Sequence, residues 1–336
     1  MQPDCPWARL KAVSALASKN YARGCGRLRS QTLPVSFCVA LAPEEIDIQG
    51  SLELFRRSGD DLVDRWDGQQ LIRAAYTGNA TWVPFVARAV GSPGAPAFEV
   101  CAPEISNVPQ LKSVVANTFM AAPPDWRRLR AEDPVIRRLE QQFPGIRQIR
   151  QLDVFTALIR CISAQQVNLR WAVTTRRRLA EAFGVRHTIG DHLVYALDPR
   201  RIASVDPADI RALQFTTSKA VSIVATARAV VDGGLELGEL QTLDDEAVIE
   251  RLVKIRGIGR WSAEWVLART LGRPRVVGGD LGVRKAVGLA YLETPAPSET
   301  EVRIATKHWG ESSGVAQALL LHALGEGVLT NPARRG

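Results

Sequence analysis

Two glycines separated by a single isoleucine interrupt a strongly helical stretch of this chain. Residues 252–271 read LVKIRGIGRWSAEWVLARTL, and apolar residues recur at helical spacing on both sides of the turn Arg256-Gly257-Ile258-Gly259. Because glycine permits tight turns and close backbone approach, we predict two amphipathic helices joined by a hairpin. Ile258 would pack between the helices while backbone amides face a phosphate. An ordinary helix–helix turn has the same pattern, so the turn alone does not establish a phosphate site.

Positive charge is concentrated around this hairpin. The chain of 336 residues has a formal net charge of +8 and an isoelectric point near 9.6, which favours a polyanionic partner. Residues 251–290 contain nine basic residues against two acids, Glu264 and Asp280. We therefore predict a nucleic-acid face on this stretch, with these basic residues: Arg251, Lys254, Arg256, Arg260, Arg269, Arg273, Arg275, Arg284 and Lys285.

The periodicity of apolar residues divides the chain into two domains, which its length can support. Residues 33–122 contain strand patterns at 81–90 and 98–101 and helical patterns at 51–55 and 107–120, which predicts a small α+β domain. Residues 123–328 show helical spacing throughout, so we expect a mostly helical region that forms a domain of the all-α class. Its helices would start at Asp153, Asp206 and Asp244 and stop at Pro144-Gly145, Gly184 and Gly233-Gly234.

The two ends of the chain are expected to lie outside these domains. We expect residues 1–32 to be a disordered extension and residues 329–336 to be a tail. The basic character of the first thirty residues would also suit a transit peptide.

Several classes of protein are disfavoured by composition. Five cysteines are an odd number and show no C-x-x-C spacing, so we expect neither a disulfide framework nor a zinc or iron–sulfur site. The four histidines show no ligand spacing. No apolar run reaches the roughly 18 residues of a membrane span, and we expect a soluble protein with no membrane partner and no catalytic metal.

A glycine-rich loop, Val276-Val277-Gly278-Gly279, follows the hairpin and ends at Asp280, with Leu-Gly-Val-Arg-Lys next. With this loop the chain resembles the helix-hairpin-helix (HhH-GPD) DNA glycosylase superfamily. L-x-x-I-x-G-I-G-R-W-S-A followed by D-L-G-V-R-K-A is similar to the 3-methyladenine DNA glycosylase II branch, and the similarity covers roughly residues 126–325. Residues 51–66 resemble the amino-terminal domain of that branch.

The resemblance implies an enzyme acting on DNA. It would be a monomeric, monofunctional glycosylase that hydrolyses the N-glycosidic bond of alkylated purines, of the 3-methyladenine and 7-methylguanine type, in duplex DNA and so initiates base excision repair. Such an enzyme would work in the bacterial cytoplasm at the nucleoid or in the eukaryotic nucleus. Glycosylases for oxidised, deaminated or mismatched bases remain an alternative, as does a non-catalytic helix-hairpin-helix module that only grips phosphates.

Asp280 is the expected catalytic residue. Cleavage of the bond gives the sugar oxocarbenium character, which an ionised, buried carboxylate stabilises. An Asp before a helix is most commonly an N-cap, and the two roles are compatible. Relatives that also cut the strand carry a lysine two residues after the second hairpin glycine. Trp261 occupies that position here, so we expect no lyase activity.

The remaining site residues are assigned by resemblance. Trp261 and Trp265 are one helical turn apart and share a face, which suits either a core or a base pocket. Gln166 is the expected wedge that fills the gap of a flipped base, although it could instead cap a helix. The resemblance implies that the base pocket is lined by Trp261, Trp265, Phe155 and Leu321. It implies that the DNA-binding surface contains Gly257, Ile258, Gly259, Arg260, Gln165, Gln166 and Lys219.

One segment departs from the branch. Residues 309–316 read Trp-Gly-Glu-Ser-Ser-Gly-Val-Ala, and Leu321 stands where a later pocket aromatic is usual, which puts the lesion range in doubt. We expect no cofactor, apart from a monovalent cation that hairpins of this family can hold on backbone carbonyls around Arg256 to Ile258.

Overall fold

The computed structural model describes residues 34–41, 44–77 and 81–329. The predicted extension at residues 1–32 lies outside the described residues, as does the predicted tail beyond Leu329. Within the described ranges, no helix combines the length and apolar composition that crossing a bilayer would require.

An antiparallel sheet of five strands, in the order β1-β5-β4-β3-β2, forms the first part of the fold. The predicted strands at 81–90 and 98–101 are confirmed as β4 and β5, which are joined by a short turn and paired in register from Val86 with Cys101 to Ser92 with Ala95. Two helices, α1 and α2, pack on one face of the sheet. These elements are β1 (Val35–Ala40), α1 (Ile48–Arg57), β2 (Arg65–Trp66), β3 (Gln70–Tyr76), β4 (Trp82–Ser92), β5 (Ala95–Ala102) and α2 (Val108–Ala116).

The second part of the fold is mostly helical, as predicted. Asp153, Asp206 and Asp244 each cap the start of a helix with the side chain, which confirms the predicted starts. A π-helical turn at Leu267–Leu271 extends α12. The helices are α3 (Trp126–Glu132), α4 (Pro134–Gln142), α5 (Val154–Ala164), α6 (Leu169–Phe183), α7 (Pro199–Ile202), α8 (Pro207–Ala212), α9 (Thr217–Val231), α10 (Leu237–Thr242), α11 (Asp245–Val253), α12 (Arg260–Val266), α13 (Leu281–Tyr291), α14 (Glu299–Ala305) and α15 (Ser313–Gly325).

A β-hairpin interrupts the helical region, which the all-α expectation missed. Strands β6 (Val185–Ile189) and β7 (His192–Ala196) are joined by a two-residue loop in which Gly190 takes a φ of 54°. The hairpin packs against the second face of the amino-terminal sheet, whose Ile72 and Val86 are buried with Val194. Apolar side chains on that face need a cover, and this hairpin provides it.

The helices enclose two buried clusters. One contains apolar residues of α5, α9, α11 and α12, and the other contains those of α4, α13 and α15. Trp309 is buried in the second cluster, within a 3₁₀ turn (Lys307–Ser312) that leads into α15. Helices α12 and α13 belong to different clusters, so the loop between them, residues 272–280, crosses from one core to the other.

Buried charges connect the sheet region to the helices. Asp61 and Asp64, in the loop before β2, are ion-paired with Arg73 of β3, Arg160 of α5 and Arg176 of α6. Burial alone would raise the pKa of Asp61, but Arg160 and Arg176 outweigh it and hold that pKa at about 2. The five side chains therefore form an ionic cluster between the two parts of the fold.

Candidate active site

Asp280 stands at the N-terminus of α13, where it uses its two carboxylate oxygens differently. Oδ1 accepts hydrogen bonds from the backbone amides of Gly282, at 2.8 Å, and Val283, at 3.0 Å. Oδ2 accepts one from the indole Nε1 of Trp261, at 3.3 Å. The side chain is half-buried. The carboxylate is thus held in one orientation by three donors while part of it stays accessible.

The glycine-rich loop before Asp280 is fixed by its two valines and by its neighbours. Val277 is buried, and Val276 packs against the cluster of α4, α13 and α15. A Cβ at Gly278 would lie 3.2 Å from Cγ of Arg303, and one at Gly279 would lie 3.7 Å from Cβ of Trp261. The amide of Val277 donates to Oε1 of Gln317, at 2.9 Å. A side chain at Gly278 would require Arg303 and Glu299 to shift slightly, whereas one at Gly279 would meet Trp261 at an ordinary contact distance.

The predicted base pocket is partly assembled around Asp280. Trp261 and Trp265 are both half-buried on α12, and Trp265 also packs against the adjacent core. Leu321 lies close to Gly282, since a Cβ there would be 3.3 Å from its Cδ2. Phe155 is only 2% exposed and belongs to the core cluster of α5, so the structure assigns its ring to the core instead of the pocket surface.

Arg269, which the sequence indicated only as part of the basic stretch, is a half-buried cation beside this pocket. The guanidinium of Arg269 is stacked over Trp265, with Cζ 5.2 Å from the ring centroid. Its Nε is buried and has no hydrogen-bond partner among the described residues. Burial lowers the pKa of Arg269, and the charge of Asp280 opposes that shift. The spacing of four residues from Trp265 could have indicated this shared face.

Cys161, on α5, has a buried thiol within electrostatic reach of Asp280 and Arg269. Burial raises the pKa of Cys161 well above its usual range, with Arg269 lowering it and Asp280 raising it further. The thiol is therefore protonated and unreactive.

The hairpin turn has the predicted shape. Ile258 is 4% exposed and packs into the core, and its amide donates to the carbonyl of Ile255. Neither the side chain nor the backbone amide of Ile258 is therefore free to bind DNA. This corrects the assignment of Ile258 to the DNA-binding surface. Gly257 has a φ of 82° and lies against Ser222, so only glycine fits there. The amides of Gly259 and Arg260 lie at the exposed start of α12 and have no partner within its ladder.

Two predicted DNA-binding side chains instead connect elements of the protein. Nε2 of Gln165 donates to the carbonyl of Gly257, at 3.0 Å, and Nζ of Lys219 donates to the carbonyl of Ser163, at 3.0 Å. Burial lowers the pKa of Lys219. These contacts join the end of α5 to the hairpin and to the start of α9.

Gln166 differs from its neighbour in being exposed. It adopts a left-handed conformation, with φ of 54°, at the turn between α5 and α6. The capping role belongs to Asn168, whose side chain accepts from the amide of Trp171. The left-handed backbone and the exposed side chain suit a wedge, which stays a prediction.

Much of the predicted basic face is engaged within the protein. Arg251, Arg260, Arg273 and Arg275 form ion pairs, and Arg284 donates to the carbonyl of Pro297. The surface available for phosphates is therefore smaller than the sequence indicated. Three exposed residues of the stretch form no ion pair with any described residue: Lys254, Arg256 and Lys285.

Metal ligands are not grouped in the described residues, where no cluster of three His, Cys, Asp or Glu side chains is placed to hold an ion. A monovalent cation on the hairpin carbonyls would share that of Gly257 with Gln165.

Comparisons with known proteins agree with this geometry. The model of the "HhH-GPD superfamily base excision DNA repair protein" family matches residues 159–311. The chain is 29% identical over 194 residues to the DNA-3-methyladenine glycosylase of Bacillus subtilis, covering 57% of this chain and 64% of that protein. It is 30% identical over 170 residues to DNA-3-methyladenine glycosylase 1 of Schizosaccharomyces pombe, covering 50% of this chain and 67% of that protein. This chain covers 58% of the length of a second B. subtilis relative. It therefore spans less than two thirds of both B. subtilis relatives.

Solved structures show the same fold. The 3-methyladenine DNA-glycosylase from Archaeoglobus fulgidus superposes with a TM-score of 0.76 at 21% identity, covering 86% of this chain and 98% of that chain. The chain therefore belongs to the HhH-GPD superfamily of base excision DNA repair proteins, in the branch of the 3-methyladenine DNA glycosylases.

Proposed function

We propose that the protein is a monofunctional DNA glycosylase that hydrolyses the N-glycosidic bond of alkylated purines in duplex DNA. The observation that carries the proposal is the Asp280 carboxylate, oriented by three donors beside Trp261 at the start of α13. Its relatives named DNA-3-methyladenine glycosylases support the same reaction class. The protein would act as a monomer on genomic DNA, in the bacterial cytoplasm or the eukaryotic nucleus.

The reaction requires a base turned out of the duplex. The hairpin amides at Gly259 and Arg260, with the side chain of Arg256, would hold a backbone phosphate, while Gln166 would fill the gap in the stack. The flipped purine would rest against the faces of Trp261 and Trp265. An electron-rich indole attracts a cationic alkylated base.

Bond cleavage follows from the position of the carboxylate. The bond between C1′ and the base nitrogen breaks, and the base leaves with the electron pair. The negative charge of Asp280 stabilises the resulting oxocarbenium character until a water molecule adds its oxygen to C1′ and loses a proton. The products are a free base and an intact abasic strand. Trp261 offers no amine for a Schiff base, so the strand is not cut.

One observation favours a second candidate. The guanidinium of Arg269 lies near the pocket without a carboxylate partner in ion-pair distance among the described residues, and a fixed positive charge there disfavours a cationic base. A neutral base with a carbonyl acceptor would gain a hydrogen-bond donor instead. The second candidate is therefore a glycosylase for deaminated or oxidised bases.

A single experiment separates these functions. The purified protein is incubated with DNA methylated by dimethyl sulfate and, separately, with duplexes carrying hypoxanthine or 8-oxoguanine, and released bases are identified by mass spectrometry. Release of 3-methyladenine or 7-methylguanine supports the first function, and release confined to the neutral bases supports the second. Release of no base from any substrate, with retained DNA binding, would indicate a non-catalytic module.

A further inference from the structure

Glu264, on α12, is a buried acid that is surrounded by three arginines. It lies between the two pocket tryptophans in sequence and is 1% exposed. Its carboxylate accepts from Nε of Arg260 at 3.1 Å and from Nη2 of Arg275 at 3.0 Å. Nη2 of Arg303 donates to both of its oxygens, at 2.9 and 2.8 Å. A carboxylate removed from water at this depth needs such partners, and here all three belong to different elements.

Two of the arginines that bind Glu264, Arg275 and Arg303, also border the glycine-rich loop that leads to Asp280. Arg275 immediately precedes the glycine-rich loop, residues 276–279, and Arg303, with its partner Glu299, forms the surface against which Gly278 lies. Gly279 lies against both Glu299 and Trp261, since a Cβ there would be 3.3 Å from Oε2 of Glu299 and 3.7 Å from Cβ of Trp261. Glu264 therefore connects α12 to both the start and the outer wall of this loop.

We infer that Glu264 is a positioning residue, which sets the place of the Asp280 carboxylate through Arg275 and Arg303. Val277 anchors the first half of the glycine-rich loop in the core, but the two glycines next to Asp280 offer no side chains that could pack. The position of this second half therefore depends on the surfaces beside it. Displacement of a catalytic group by about 1 Å can reduce a rate by roughly 10²-fold. The inference rests on the proposed glycosylase function for its kinetic consequence, but its structural consequence can be measured separately.

The decisive variant is Glu264→Gln, with Glu246→Gln as a matched control. Glu246 is exposed at 61% and binds the same Arg260 and Arg275, but it does not contact Arg303. We expect Glu264→Gln to lower the single-turnover rate of base release about 10- to 100-fold. Its affinity for a duplex with an abasic site should change by less than about threefold, since the hairpin amides are unaltered. The control should keep the wild-type rate.

A second measurement does not depend on activity. Hydrogen exchange at the amides of Val277 and Asp280, which are bonded to Gln317 and to the carbonyl of Val277, reports on the loop itself. We expect faster exchange in Glu264→Gln and no change in the control. If the wild-type protein released no base, the proposed function would fail, and this exchange measurement alone would decide the inference.

Arg303→Gln provides a test if Glu264→Gln does not fold. The side chain of Arg303 is 35% exposed, so its replacement is less disruptive, and it breaks the same link while leaving Arg260 and Arg275 on Glu264. The same loss of rate and the same loosening of the loop are expected, and the double variant should be no slower than the slower single variant. A wild-type rate and wild-type exchange in either folded variant would overturn the inference.

Discussion

The indole Nε1 of Trp261 donates to Oδ2 of Asp280, at 3.3 Å, so one side chain serves both the predicted pocket and the carboxylate. The other carboxylate oxygen, Oδ1, accepts hydrogen bonds from backbone amides at the start of α13. The edge of the indole is thus used by the acid, and the predicted pocket would use its face. A base stacked on Trp261 would therefore hold its sugar next to Asp280.

Asp280→Asn should remove nearly all base release while the protein folds and binds DNA. The amide keeps an oxygen that can cap α13, but the negative charge opposite the oxocarbenium-like sugar is lost. We expect a rate at least about 10²-fold lower in single-turnover assays. The thermal unfolding midpoint and the affinity for abasic duplex serve as controls. Retained release would exclude Asp280 from the mechanism.

Trp261→Phe separates the hydrogen bond from the aromatic face. Phenylalanine retains a ring for stacking and loses the donor to Asp280, so we expect a rate roughly tenfold lower, as for one hydrogen bond to a charged group. Trp265→Phe is the matched control, because its indole makes no hydrogen bond to Asp280. Affinity for undamaged duplex should be unchanged in both variants. Equal losses of binding and release would mean that these tryptophans are core residues.

Strand cleavage should be absent in the wild-type protein. The product of the reaction is expected to be an intact abasic strand that breaks only after alkali treatment, since no lysine stands at position 261. Incubation with damaged duplex and borohydride should yield no covalent adduct in a denaturing gel. An adduct would show that another amine of the chain acts as a nucleophile.

Arg256→Gln should weaken DNA binding without altering base preference. Arg256 is exposed in the hairpin turn and unpaired among the described residues, so its loss should reduce the slope of log affinity against log salt by about 1. Arg251→Gln is the control, since Arg251 is engaged with Glu239. Filter binding at several salt concentrations measures both. An unchanged slope in Arg256→Gln would place the phosphate contact elsewhere.

Stability should fall in acid because of the buried ionic cluster. The pKa of Asp61 is about 2 in the folded protein, below its ordinary value of 3.8, so its contribution is complete above the higher value and is lost as pH falls from about 4 to about 2. Asp61→Asn should cost roughly 3 to 5 kcal/mol at neutral pH and flatten this dependence. Urea titrations at several pH values test this. Asp60→Asn, at an exposed pair with Arg65, should cost less than about 1 kcal/mol.

Local sequence was sufficient for features that depend on neighbouring residues. The hairpin, the capping position of Asp280 and the shared face of Trp261 and Trp265 all follow from spacing within a few residues. Long-range partners were not predictable in this way. Arg275 appeared as part of a DNA-binding face because nothing in the sequence indicates that it meets Glu264. The four-residue spacing of Arg260 and Glu264 could have indicated their pair. Phe155 was assigned to the pocket by resemblance, and only packing shows that its ring lies in the core.

The hairpin of β6 and β7 has a consequence for synthesis of the chain. The amino-terminal sheet is complete in strand order by Ala102, yet its second face is covered by residues up to Ala196. A nascent chain emerging from the ribosome would expose that apolar face until about a hundred further residues had been added. Late covering of this kind requires contacts between distant parts of the sequence, which slows folding. During translation the sheet therefore keeps one apolar face uncovered after all of its own strands have been made.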